Sequence, residues 1–302
     1  MKITAADPYL RKRGSRDVDR GTRWPVASGR FRRKPLELGL DGKVVLVTGS
    51  WRGTGAGIAR AVAAEGAVVI VHGNEPGQPD ATVAEIEAAG GRALGAVGDI
   101  RSDTGTEQLR ESVRAAVGNV DVVVNNYGLA DGTTWDASTT SSWHVSYDTN
   151  VVSAVRVTQA FLPDMREAGW GRIVFVSTVG ATRPGDRLPE YYAAKGALPS
   201  VTMSLAKHLS GTGITVNCVS PGIIATPEMI ERFTQQAQRR GIATDWSSVE
   251  KMILETAMAN PSGRVVFPDE VGGFVAFVVS EPAWHLNGAH LRFDGGASDA
   301  VT

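Results

Sequence analysis

The 302-residue chain has a single cysteine, Cys218, only 7% aromatic residues, and no apolar run near the ~18 residues of a membrane span. Each shortage excludes something. One thiol builds neither a disulfide framework nor a thiolate metal cluster, and it suits a reducing, cytoplasmic setting. The five histidines are scattered without ligand spacing, so no metal is expected. No apolar stretch follows the basic residues of the N-terminus, which therefore does not read as a secretory signal. Glycine at 35 and proline at 14 are too few for low-complexity disorder.

The net charge of −1 hides a division. Residues 1–40 hold 11 Lys/Arg against 4 Asp/Glu, and the rest of the chain is acidic by 8 charges. Residues 1–38 show no hydrophobic period and read as a basic, flexible arm. Such an arm attracts phosphates non-specifically, but the body is acidic and has no nucleic-acid motif, so neither nucleic acid nor membrane is expected as a partner. Residues 39–302 read as one domain, without internal repeat or linker.

What is present in quantity is valine. Continuous apolar runs occur at 44–47, 68–71, 120–124, 173–176, 214–219 and 289–293. Unbroken β-branched runs indicate strands buried on both faces of a parallel sheet. Between them lie helical patterns at 57–66, 82–89, 106–117, 151–168 and 191–209. The alternation predicts an α/β class, a doubly wound parallel sheet with right-handed crossovers.

After the first run comes Thr48-Gly49-Ser50-Trp51-Arg52-Gly53-Thr54-Gly55, opening into a helix. Glycines allow a sharp turn and close approach to a pyrophosphate, which the helix N-terminus then receives; the alternative is a tight turn without a ligand. The next run ends in His72-Gly73-Asn74, where a dinucleotide site for the unphosphorylated ribose places an acid. Gly73 stands at that place, Glu75 comes two residues late, and Arg52 is placed to meet a 2′-phosphate. NADP(H) is therefore favoured, with NAD(H) as the alternative. Tyr191 and Lys195 lie four apart at the start of a helix and share a face. In that pairing the ammonium lowers the phenol pKa from ~10 for proton exchange near neutrality.

These residues resemble the short-chain dehydrogenase/reductase family over about residues 38–297, most of all its 3-oxoacyl-carrier-protein reductase-like branch. The family's Gly-rich loop is Thr48 to Gly55, and its adenine-pocket Asp matches Asp99, followed by Ile100. Its Asn-Asn-Ala-Gly appears as Asn125-Asn126-Tyr127-Gly128, and its Tyr-x-x-x-Lys as Tyr191 to Lys195. Asn150 matches the tetrad Asn, while Pro221-Gly222, Ile224 and Thr226 match the segment beside the nicotinamide. The resemblance implies a Rossmann fold and hydride transfer between nicotinamide C4 and a carbonyl or carbinol carbon. It assigns Tyr191 as acid/base, Lys195 to the ribose, Asn150 to a proton-relaying water, and a hydroxyl to the substrate oxygen. Gly49, Ser50, Arg52, Gly53, Thr54, Gly55 and Asn74 fall at the cofactor, with Asn126, Tyr127 and Gly128 beyond them. A homotetramer or dimer is also implied.

Three departures stand out. An ungapped count puts Thr178 at the family's Ser position, whereas Gly180 would register Ser177. Tyr127 replaces an Ala beside the adenosine ribose. Finally, residues 227–263 are long and read as two amphipathic helices, Pro227–Gly241 and Asp245–Ala259, forming a substrate lid with Met229, Phe233, Trp246 and Met252 as pocket residues or plain packing. Trp135, Trp143 and Tyr147 border the site or anchor a loop. The leading expectation is an NADPH-dependent ketone reductase acting on a small carbonyl substrate. The alternatives are an NAD-dependent dehydrogenase of a polyol, sugar or steroid, and a non-catalytic cofactor-binding relative, which the intact Asn150, Tyr191 and Lys195 argue against.

Overall fold

The valine runs pair with one another. In the computed structural model, which describes residues 36–299, β1 (Val44–Val47), β2 (Val68–Gly73), β3 (Arg92–Val97), β4 (Val122–Asn125), β5 (Gly171–Val176), β6 (Ile214–Pro221) and β7 (His290–Phe293) form one parallel sheet. The strand order is β3-β2-β1-β4-β5-β6-β7. Most of residues 1–38, including nearly all of the basic arm, lie outside the described residues.

Alternate residues of each run serve opposite faces, and both faces are covered. Val45, Val47, Val122, Val124, Val174 and Val176 pack under α1 (Gly53–Ala64) and α9 (Pro268–Val278). Leu46, Val123, Ile173 and Phe175 pack on the other side, with α3 (Asp103–Val117), α5 (Ser153–Ala168) and α6 (Pro189–His208). This is why the runs at 44–47, 68–71 and 173–176 contain no polar residue.

Two kinds of element escape that logic. The strand β3 is mostly exposed, with only Ala93 and Ala96 buried, and has the sequence Arg-Ala-Leu-Gly-Ala-Val, an edge strand without a β-branched run. The polar helix α4 (Thr140–Tyr147) has almost no apolar face, and its start is set by a capping box between Thr139 and Ser142. Beyond α4 the chain does not break before residue 151, as the periodicity predicts, but winds through a π-helical turn, Asp148–Val152, directly into α5. The helix α2 (Asp80–Ala88) covers the β3 edge, and α7 (Pro227–Arg239) with α8 (Trp246–Thr256) forms a separate small cluster. Among the described residues no helix is long and apolar enough to cross a membrane.

Strand order reverses between β1 and β4. At such a switch point the loops leave the strands in opposite directions and open a crevice at the carboxyl ends.

Candidate active site

The β1 loop is held to the β4 loop before any ligand is considered. Thr48 Oγ1 accepts the N–H groups of Asn126 and Tyr127, each at 3.0 Å. Asn126 Nδ2 donates to the carbonyls of Thr48 (3.0 Å) and Gly49 (3.3 Å). A Cβ on Gly55 would lie 2.5 Å from Asn126 Nδ2 and from the Gly49 carbonyl, so only glycine permits this fold of the loop. Ser50 Oγ donates to the Val47 carbonyl at 2.6 Å and accepts the His72 N–H at 3.0 Å. Two positions on, Arg52 is the N-cap of α1 and makes no side-chain cap bond. The first-turn N–H groups of a 12-residue helix thus face the crevice with no side chain in place to satisfy them, which fits a phosphate group.

His72, read as a strand-end residue, turns out to be the pin of this loop. Its buried ring accepts the Gly49 N–H at Nδ1 (3.0 Å) and donates from Nε2 to the Gly98 carbonyl (2.9 Å). Burial lowers its pKa to about 4, so the ring is neutral and holds one tautomer.

At the chemical end, β5 delivers Ser177 and Thr178, and α6 brings Tyr191 and Lys195 above them. Thr178 stands by the Tyr191 phenol and favours its ionised form, while its Oγ1 accepts the Gly180 N–H at 3.3 Å. Ser177 is buried, and its hydroxyl donates to the Lys195 carbonyl at 2.8 Å. The geometry therefore brings Thr178 to the phenol and spends Ser177 on holding α6. Lys195 Nζ donates to the Val176 carbonyl at 2.9 Å. Asn150 sits in the π-turn, with Oδ1 accepting the Leu129 N–H (3.0 Å) and Nδ2 donating to the carbonyls of Leu129 (3.2 Å) and Ser146 (3.0 Å). Gly128 lies between them: a Cβ there would be 2.6 Å from Asn150 Oδ1 and 2.7 Å from Lys195 Nζ.

Residues 43–237 match the short chain dehydrogenase family model. The chain belongs to this family. It is 35% identical over 259 residues to D-beta-hydroxybutyrate dehydrogenase of Cupriavidus necator, covering 85% of this chain and 98% of that one. It is 31% identical to the 3-oxoacyl-(acyl-carrier-protein) reductase FabG of Escherichia coli, covering 86% and 98%. Among solved structures, L-sorbose reductase from Gluconobacter frateurii, complexed with NADPH and L-sorbose, superposes with a TM-score of 0.82 at 29% identity, covering 88% of this chain and all of that one. This short-chain dehydrogenase is thus an oxidoreductase of the 3-oxoacyl-reductase-like branch.

Electrostatics at its centre run against the sequence expectation. Burial pushes the Tyr191 phenol up to about 12, with Tyr192 adding to the rise and Thr178 opposing it. Burial also pulls Lys195 down to about 8. Lys195 does not depress the phenol here, because its ammonium is turned to the Val176 carbonyl. Tyr191 is therefore protonated at neutral pH, a proton donor at rest.

The adenosine end also departs from expectation. A Cβ on Gly73 would meet Gln78 at 2.6 Å, and Gln78 Oε1 accepts the N–H groups of Asn74 (2.8 Å) and Glu75 (3.2 Å). The place of the family acid is filled by this loop. Arg52, read as a free guanidinium for a 2′-phosphate, pairs with Glu228 of α7 at 3.0 Å and lies over the Trp51 ring. Asp99 is engaged on both oxygens by the fork of Arg101, each at 2.8 Å. The Tyr127 ring lies beside Gly49; burial raises its phenol pKa, with Asn74 opposing the rise. Arg101, His72 and Glu228 carried no motif that would have revealed them, since each matters through a partner in another element.

The remaining residues are placed as follows. Ile100 is fully buried below Asp99. Thr54 lies in the first turn of α1. Pro221 ends β6, Gly222 donates to the Phe293 carbonyl (3.1 Å), and Ile224 bridges Val266. Thr226 caps α7 by accepting the Met229 N–H (3.3 Å), and its methyl faces Gly53 across the crevice. Phe233 and Met252 are buried, and Met229 and Trp246 pack partly buried against the same small cluster, so all four serve packing of the α7–α8 pair. Trp135 is largely exposed, with its ring 5.6 Å from that of Trp143, and Tyr147 is exposed on α4.

Proposed function

We propose that the protein is an NADPH-dependent ketone reductase of 3-oxoacyl type, in which Tyr191 gives the proton. The observation that carries this reading is the placement of the Tyr191 phenol by Thr178, one helical turn from buried Lys195 on α6. When bound, the dihydronicotinamide supplies the hydride to the carbonyl carbon. Tyr191 Oη passes its proton to the carbonyl oxygen, giving the alcohol, and the phenolate regains a proton from solvent by way of Lys195 and Asn150. The Thr178 hydroxyl steadies the oxygen as charge develops on it. Gly49, Ser50, Gly53, Thr54, Gly55 and Asn126 would hold the pyrophosphate and Asn74, Asp99 and Tyr127 the adenosine half, with Ile100 buried behind Asp99 and Gly128 set between Asn150 and Lys195. Pro221, Gly222, Ile224 and Thr226 would line the nicotinamide half, and α7 and α8 would cover the substrate.

Preference for NADP(H) is supported by the missing carboxylate at the end of β2 and by the half-exposed Arg52 in the loop, which a 2′-phosphate would have to draw from Glu228. Relatives that act on 3-hydroxy acids or 3-oxoacyl groups support the substrate class. A second reading, a sugar or polyol dehydrogenase, is favoured by a cavity of about 370 Å³ beside Asn150, lined by Thr133, Thr139, Ser141, Ser142, Ser146 and Thr149. The enzyme is proposed to act in the cytoplasm as a homotetramer or dimer.

A screen of 3-oxoacyl thioesters, simple ketones, ketoses and steroids against both cofactors, followed by nicotinamide absorbance, tests the proposal. NADPH is expected to bind more tightly than NADH, and equal affinity or an NADH preference would sink the Arg52 argument. Separate alanine variants test the hydroxyl. Thr178→Ala is expected to lower kcat by roughly 10²-fold, as for loss of one oxyanion donor. Ser177→Ala should act mainly on stability, and the reverse pattern would move the role to Ser177.

A further inference from the structure

Two residues directly ahead of Tyr191 break local rules. Among the described residues Leu188 alone, apart from glycines, has a positive φ, at 60° with ψ 45°. Glu190 is a carboxylate only 1% exposed, and its Oε2 is buried without a hydrogen-bond partner. Strained backbone and unsatisfied buried groups are retained where the surroundings use them.

The surroundings here are the starts of two helices. Glu190 is the second residue of α6, and its Oε1 lies 2.9 Å from Ser142 Oγ and 3.4 Å from Thr133 Oγ1. Ser142 is the third residue of α4 and forms the capping box with Thr139, accepting the Thr139 N–H at 3.0 Å. One carboxylate therefore stands at the positive ends of both helices. Burial alone would raise its pKa, but hydrogen bonds from its own backbone N–H, Ser142 and Thr133 outweigh this and hold it below the usual carboxylate range. Two backbone ties run alongside: the Leu188 N–H donates to the Thr133 carbonyl at 2.9 Å, and Arg187 bridges Thr134.

The helices so joined carry the reacting set. From α4 the chain runs through the π-turn to Asn150, and α6 bears Tyr191 and Lys195. We infer that Glu190 is a positioning residue that, through Ser142 and Thr133, sets the spacing between the Tyr191–Lys195 helix and the segment holding Asn150. This rests on the roles proposed above for those three residues. A buried carboxylate one partner short is a costly tie between helices that apolar contact would join more cheaply. What it adds is direction, since a hydrogen bond to an anion fixes geometry that apolar contact leaves loose.

The test combines kinetics with amide hydrogen exchange on the full chain. Glu190→Ala is expected to lower kcat about 10²-fold, the loss typical of a 1 Å misplacement, with NADPH Kd and substrate KM within about twofold. Glu190→Gln keeps the Oε1 acceptor and should restore kcat to within about threefold of the parent. Ser142→Ala removes the tie from the other helix with the carboxylate intact and should repeat the alanine phenotype. In both alanine variants exchange should quicken at residues 142–147 and 191–195 together. Unchanged kcat in both, or faster exchange confined to 188–190, overturns the inference. If the parent protein turned over no carbonyl compound, the functional reading would fail, and the exchange pattern would still decide whether Glu190 couples the two helices.

Discussion

Tyr191→Phe is expected to lower turnover by ~10³-fold or more, about 4 kcal/mol of barrier, while NADPH still binds. The phenol oxygen is the only atom removed. Its ring packs as before, so the fold and the crevice at Gly49–Gly55 have no reason to change. The loss is large because no other group by Thr178 can give the proton, which burial holds on Tyr191 up to about 12. Tyr192 cannot take over. Its ring lies against Gly180, where a Cβ would be 2.1 Å away, and Tyr192→Phe should leave turnover near the parent value. Stopped-flow measurement of nicotinamide absorbance, with cofactor titration by fluorescence, checks both variants. Turnover retained in Tyr191→Phe would remove Tyr191 from the chemistry.

Gly128→Ala separates chemistry from folding in a different way. The added methyl would stand 2.6 Å from Asn150 Oδ1 and 2.7 Å from Lys195 Nζ, both ends of side chains rather than backbone. Gly128 is not among the positive-φ glycines, so space alone is at issue. Lys195 and Asn150 can swing aside at small cost to the fold, but then neither keeps its place. A fall in kcat of about 10²-fold is expected, with weaker cofactor binding through Lys195 and a melting temperature close to the parent. Calorimetry beside steady-state kinetics checks this. Normal turnover, or a loss matched by unfolding, would show that the three residues do not work as one unit.

Much of this site can be read from local pattern. The Gly-rich loop is legible because its geometry is forced: Gly55 has no room for a side chain, and the helix that follows leaves its N-terminus uncapped. Tyr191 and Lys195 are legible because helical spacing alone puts them on one face. The buried strands are legible because both faces of each are apolar, and β3 is not, because an edge strand with one solvated face needs no valine run. The segment before Asn150 hides its helix for a similar reason. It is built on hydroxyls and capping rather than on an apolar stripe, and Asn150 sits in a π-turn that has no sequence period.

Other features exist only as pairs. Arg52 and Glu228 are 176 positions apart, and Thr178 and Tyr191 meet only because β5 and α6 pack as neighbours. The sign of the Tyr191 shift follows the same rule: spacing predicted a phenol lowered by Lys195, but desolvation and Tyr192 raise it, while Lys195 is turned toward Val176. The uneven charge of the chain illustrates the limit in the other direction. The excess of bases in residues 1–40 is plain from composition, and composition gives it no partner. Residue order was enough for fold class and family, because those depend on periodicity and short-range spacing. Which hydroxyl meets the phenol, where the proton rests, what Arg52 holds and how Glu190 ties two helices arise from contacts between distant segments, whose energies depend on burial and direction.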